Sequence, residues 1–151
     1  MFARALVAFL VLPGVFAIAL PLAWLRASGR TALVHPCGLL LLTLGFVALL
    51  LCVRDFHVSG KGTLAPWSPP KHLVVVGLYR YSRNPMYVAV TVMLVGWAVS
   101  FGSRGLLLYA AAVFAAFHAR VVRAEEPFLS HVHGDEWERY KSRVPRWLGW
   151  T

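Results

Sequence analysis

Two adjacent carboxylates, Glu125 and Glu126, close a long apolar run, with Arg120 and Arg123 just before them and Pro127 just after. Upstream, "LYRYSRNPMY" sets Arg80, Arg83 and Asn84 against Pro85 at the head of another apolar run. Carboxylates at the end of a membrane-grade helix do not snorkel as comfortably as basic side chains, and neighbouring helix positions point about 100° apart. At least one of the pair therefore turns toward protein, where it can accept a cation. The arginines serve equally as snorkelling anchors or as a clamp on an anion. Asn84 before Pro85 is placed to cap a helix whose first N–H groups and positive dipole end suit an anionic group. This inventory grips one cation and one anion. It contains no Ser/His/Asp or Cys/His set, so it suits binding and alignment rather than nucleophilic catalysis. His131 and His133 lack a third ligand at a matching spacing, and no metal is expected.

The elements that must position these groups follow from composition. Of 151 residues, 59% are hydrophobic and 14% charged, too apolar for a soluble domain of this size. A hydrocarbon core of about 30 Å needs roughly 20 apolar helical residues. Four spans are predicted: Phe2–Leu25, Ala32–Val53, Pro85–Phe101 and Gly105–Val122, the third being short. The first exceeds the apolar stretch of a signal peptide and lacks a small-x-small cleavage site, so it is expected to stay. Four spans put both termini and the middle loop on one side. That side carries every basic residue except Arg26, Arg30 and Arg104, 12 of 15, and all six acidic ones. By the positive-inside rule it is the cytoplasm, here of a prokaryotic cytoplasmic membrane. The net charge of +9 is thereby explained without nucleic acid, for which no binding motif is present.

Between the second and third spans, "GKGTLAPWSPPKHL" is rich in Gly and Pro and reads as an ordered loop, with Trp67 at the headgroup level. "GKG" lacks the spacing of a phosphate loop. Pro127 is expected to end or kink the fourth helix. Beyond Gly134, Trp137, Tyr140 and Val144 at i, i+3 and i+7 predict a short amphipathic helix lying on the membrane surface. Cys37 and Cys52, about 22 Å apart along one helix, are expected to be unpaired, buried packing residues.

Taken together, "PPKHLVVVGLYRYSRNPMY" and "EEPFLSHVHGDEWERYKSRVPRW", separated by one apolar hairpin, resemble the isoprenylcysteine carboxyl methyltransferase and phospholipid methyltransferase superfamily of integral-membrane enzymes. The family's G-x-Y-x-x-x-R-H-P-x-Y loop is matched by Gly77, Tyr79, Arg83, Pro85 and Tyr87. Its second motif is matched by Glu125, Glu126, Leu129, Gly134, Tyr140, Val144, Pro145 and Arg146. Asn84 stands for the family histidine, His133 for a phenylalanine and Trp137 for a tyrosine. The first exchange removes an ionisable group, so that position is expected to serve cofactor contact rather than act as a base.

The resemblance implies an all-α membrane domain spanning residues 1–151, in which the cytoplasmic loop and the C-terminal interfacial helix form a cofactor cleft. It implies S-adenosylmethionine as cofactor and S-adenosylhomocysteine as product. On this reading Lys71, His72, Leu73, Val74, Tyr79, Asn84, Pro85, Met86, Tyr87, Glu125 and Glu126 bind the cofactor, while Arg120, Arg123 and Glu126 form the catalytic set. The acceptor would be a small lipophilic molecule reached from the bilayer. Arg80, Arg83, Arg120, Arg123, Arg143 and Arg146 outnumber the two glutamates around the cleft. An anionic or neutral acceptor methylated on oxygen or sulfur is therefore expected ahead of a phospholipid amine, which would need a base. The competing class is a non-enzymatic four-helix carrier or assembly partner. Against it, no span centre carries an ionisable residue that would mark a permeation path.

Overall fold

The computed structural model describes residues 14–60 and 73–149, and every regular element among them is helical. A π turn, Val15–Ala19, leads into α1 (Leu20–Ala27). Helix α2 (Cys37–Gly60) follows, then a 3-10 turn at Gly77–Arg80, α3 (Pro85–Ser100) and α4 (Arg104–Arg120). A second π turn, Val121–Glu125, joins α4 to α5 (Glu126–His133), and Gly134 separates α5 from α6 (Asp135–Lys141).

Both π turns precede a proline, and the reason is local. Proline has no N–H, and its ring strikes the carbonyl four residues earlier. Before Pro21 the chain widens, so that Leu20 N–H donates to Val15 O and not to Phe16 O. The freed carbonyls find side chains instead: Tyr109 Oη–H donates to Phe16 O at 3.0 Å, and Trp97 Nε1–H to Ala17 O at 2.9 Å. Before Pro127 the same device recurs, with Glu126 N–H donating to Val121 O. Pro127 therefore does not end the helix. It widens the turn carrying the two glutamates, so that they diverge.

Helices α2 and α3 pack closely because glycines line their seam. A Cβ on Gly45 would lie 2.7 Å from Met93 Cγ, 2.8 Å from Ala89 O and 2.9 Å from Met93 N. One on Gly96 would lie 2.7 Å from Leu42 N. The core so formed joins Leu49 of α2 to Ala89, Val90, Met93 and Leu94 of α3 and Ala110 of α4. Between helices in lipid, close backbone approach and dispersion replace the hydrophobic drive of a soluble core. Gly45→Ala gains helix propensity of about 1 kcal/mol, yet two of its three clashes are with backbone that cannot swing aside. We expect net destabilisation of about 1–3 kcal/mol, read as a lowered melting temperature in detergent. An unchanged or raised one would show that the seam has slack.

Among the described residues two helical stretches, Cys37–Phe56 and Arg104–His133, are long and apolar enough to cross a membrane; Val15–Ala27 and Pro85–Ser100 are shorter. The predicted first span reaches into residues 1–13, outside the described part. The sixteen residues of α3 rise only about 24 Å. The second predicted span is shifted, since α2 begins five residues after Ala32 and runs on to Gly60. The "GKGTLAPWSPPKHL" loop with Trp67 lies mostly outside the described residues. Both cysteines are free, but only Cys52 is buried; Cys37 is exposed at the head of α2.

Candidate functional site

The site is assembled where the start of α3 meets the C-terminal segment. Gly77 opens the 3-10 turn with φ of 58°, and a Cβ there would overlap the Asp55 carboxylate of α2. Only glycine allows the loop to lie this close to a buried aspartate that also pairs with Arg54 at 2.8 Å. Val74 and Tyr79 then bury against Cys52, partly covered by Phe56 and Met86. Sequence reasoning used Asp55 only to count charge. The missed signal was a lone acidic residue near the end of an apolar helix, which needs a partner.

The C-terminal segment is sewn onto this loop. Arg83 N–H donates to Pro145 O at 2.9 Å, Ser82 Oγ–H to Arg146 O at 3.3 Å, and Asn84 Nδ2–H to Arg146 O at 3.0 Å. Tyr140 Oη–H donates to Tyr79 O at 2.7 Å. Burial pushes both phenols well above their usual range, so Tyr140 remains a donor throughout physiological pH. Asn84 does sit at the N-cap position of α3, but its side chain does not cap the helix. That amide is spent on the C-terminal segment, and Ser82 Oγ accepts from Asn84 N–H at 3.1 Å.

Glu126 is the centre of a clamp. Its Oε1 accepts from Arg83 Nη1 at 2.9 Å and Arg146 Nε at 2.8 Å, and its Oε2 from Arg146 Nη2 at 2.8 Å. The side chains of Glu126 and Arg83 are 13% and 8% exposed, so this is a shielded pair with a third, partly wet member. The Glu126 hydrogen bonds raise the Arg146 guanidinium above its ordinary value. Removal from water lowers that of Arg83, with Glu126 opposing the effect. Arg83 also lies over the Trp137 ring at 5.5 Å, and its Nε is buried with no hydrogen-bond partner among the described residues.

Glu125, on the other side of the widened turn, is held differently. Its Oε1 accepts from the Tyr87 hydroxyl and from Arg120 Nε at 2.7 Å. The Tyr87 ring is fixed by stacking on Phe117 of α4, centroids 4.3 Å apart. The Glu125 and Arg120 side chains are 30% and 51% exposed, so this carboxylate is reachable where that of Glu126 is enclosed.

The expected residues thus divide. Tyr87, Glu125 and Arg120 converge on one group, and Asn84, Glu126, Arg83 and Arg146 on the clamp beside it. Pro85 is buried and Met86 half-buried at the start of α3. Val74 and Tyr79 are packing residues from the side-chain view, and Leu73 covers Trp137, Tyr140 and Val144. Lys71 and His72 lie outside the described residues. Arg80, Arg123 and Arg143 are exposed, with no ion pair among the described residues. The apolar face of α6 does not lie on the membrane surface: Trp137 is 2% exposed, buried against Leu73 and Leu129. Its spacing is that of an amphipathic helix, but the apolar partner is protein. No group of three or more metal-ligating side chains occurs among the described residues.

The sequence pattern of the phospholipid methyltransferase family matches residues 33–136. Over 75 residues, 49% of this chain, the sequence is 32% identical to the protein-S-isoprenylcysteine O-methyltransferase of Schizosaccharomyces pombe; the match spans 32% of that protein's length. No solved structure matches the chain.

Proposed function

The chain belongs to the phospholipid methyltransferase family, and on that premise we propose that it is an integral-membrane methyltransferase. It uses S-adenosylmethionine on a small lipophilic acceptor that arrives from the bilayer, with transfer to oxygen or sulfur. Four spans, with the site and both termini on the cytoplasmic side, complete the reading, on the distribution of basic residues. The observation that carries it is the reachable Glu125 carboxylate, held by Tyr87 and Arg120 beside the N-terminus of α3.

When bound, S-adenosylmethionine supplies a methyl group on a positively charged sulfur, open to in-line attack. The residues present fit such a group. Glu125 would take the amino group, and the first N–H groups of α3, at Met86 and Tyr87, would take the carboxylate. The segment through Leu73, whose side chain covers Trp137, Tyr140 and Val144, would run along the nucleoside. Glu126 holds the C-terminal segment over the cleft and keeps water out, so its contribution to rate is alignment.

Arg120 links cofactor and acceptor. An ammonium at Glu125 would compete with its guanidinium, and this half-exposed arginine would then be free to turn, with Arg123, toward an anionic acceptor. The relative acting as an isoprenylcysteine O-methyltransferase favours such an acceptor. The family description favours the runner-up, a phospholipid amine. Purified protein given labelled S-adenosylmethionine with prenylated thiol acids, fatty acids, lipophilic thiols and phosphatidylethanolamine is expected to label a member of the first three groups. Arg120→Gln is expected to raise the KM of a carboxylate acceptor about tenfold, a lost charge-assisted bond, while S-adenosylhomocysteine binding moves little. Label in phosphatidylethanolamine alone overturns the ordering. No cofactor binding at all returns the chain to the carrier class.

A further inference from the structure

At the end of the bundle opposite the clamp, a cavity of about 460 Å³ opens between the end of α1 and the turn from α3 to α4. Its lining includes Trp24, Ser28, Arg30, Ser103 and Arg104. The volume lies in the ordinary range for small-ligand sites. Its electrical setting is what marks it. All six acidic residues of the chain lie at the clamp end or in the segments beyond it, while Arg26, Arg30 and Arg104 lie here. Two of these three arginines line one cavity without a protein carboxylate to neutralise them.

The walls are formed by backbone geometry. Gly102 has φ of 58°, which turns the chain sharply between α3 and α4, and Ser103 caps α4 by accepting from Leu106 N–H at 3.3 Å. The Trp24 ring packs directly over Gly105, leaving no room for a Cβ there. Arg30 reaches across the cavity to Gly102 O at 3.4 Å, a long bond that occupies one of its five donors. Ser28 leans on Leu25 O at 3.3 Å. The half-exposed Trp24 and the exposed Leu33 and Val34 set this end at the level where apolar surface meets headgroups.

Two guanidiniums match the oxygens of a phosphate ester, which guanidinium forks bind in preference to other anions; the Ser103 hydroxyl, which only accepts from Leu106 N–H, keeps its proton to donate, whereas that of Ser28 is given to Leu25 O. We infer that this cavity is a phosphate-ester site, distinct from the cofactor cleft, formed by Arg30 and Arg104 with Ser103. Its ligand is the phosphodiester of an anionic lipid headgroup or a soluble phosphate monoester of similar size.

Thermal unfolding of the full chain in neutral detergent tests this with three probes: dihexanoyl phosphatidylglycerol, dihexanoyl phosphatidylcholine and glycerol 3-phosphate. Phosphatidylglycerol is expected to raise the melting temperature in a saturable way. The Arg30→Gln/Arg104→Gln double variant is expected to need about tenfold more for the same shift. Arg26→Gln removes an identical charge from the same end but does not line the cavity, and is expected to respond like the parent. An equal shift with glycerol 3-phosphate supports the site and assigns it to soluble esters; a shift with phosphatidylglycerol alone supports it and assigns it to lipid. Equal loss in Arg26→Gln, or a response to phosphatidylcholine that matches that to phosphatidylglycerol and is undiminished in the double variant, overturns it, because diffuse charge or general lipid solvation then suffices. No shift with any probe also overturns it. If the double variant does not fold, Arg104→Gln alone is decisive, since that side chain is exposed; an unchanged response there overturns the assignment.

Discussion

Glu126→Ala detaches the C-terminal segment from the bundle and lowers stability by about 3 kcal/mol. This is the low end for breaking a buried ion pair, because Arg146 is 34% exposed and can turn to water. Arg83 cannot do so: its side chain is 8% exposed, pinned over Trp137 and with Nε already unpartnered, so loss of Glu126 leaves an uncompensated charge in place. The readout is a lower melting temperature together with faster proteolysis after the end of α5 at Gly134. A variant in which Arg83, Glu126 and Arg146 become Met, Leu and Met recovers part of the loss, since apolar groups of similar volume replace a buried charge cluster at little cost. Glu126→Ala with unchanged melting and unchanged proteolysis would sink the clamp. A triple variant less stable than the single one would show that the charges contribute more than mutual neutralisation.

That clamp illustrates what was legible in the sequence. The position of Glu125 and Glu126 marked them as carboxylates that must find a cation, since the end of an apolar helix offers none in lipid; that Arg83 and Arg146 are the partners of Glu126 was not legible. The division of labour was not legible, because it depends on the turn at Val121–Glu125. An ideal helix carries adjacent glutamates about 100° apart, which says that they differ but not which faces the cleft. The widened turn upstream of Pro127 gives the two carboxylates different partners, and its cue was the proline, expected to end or kink the helix. The same error of sign affected Asn84. N-cap chemistry was the right local expectation, and a tertiary acceptor, Arg146 O, outcompeted it. For α6 the period was right and the partner wrong, since periodicity reports an apolar face without saying whether lipid or protein covers it.

The remaining large effect separates the two glutamates by function. Glu125→Gln keeps the shape of the side chain and its ability to accept from Tyr87, while removing the charge that would meet an ammonium. Glu126 is less suited to that role, because guanidiniums fill three of its acceptor positions and its side chain is only 13% exposed. A charge-assisted hydrogen bond is worth about 1.5–3 kcal/mol, so the Kd of S-adenosylmethionine and of S-adenosylhomocysteine is expected to rise roughly ten- to a hundredfold in Glu125→Gln. Melting temperature without ligand is expected to change little, since Glu125 and its partner Arg120 are 30% and 51% exposed and such pairs contribute little to stability. Calorimetry with an S-adenosylhomocysteine analogue lacking the amino group makes the assignment specific. That analogue is expected to bind the parent and Glu125→Gln with the same affinity, because the interaction removed from the protein is already absent from the ligand. If the analogue loses affinity in Glu125→Gln as the full ligand does, the carboxylate acts through Tyr87 and Arg120 on the shape of the cleft. If both ligands bind the variant as they bind the parent, the amino group is held elsewhere.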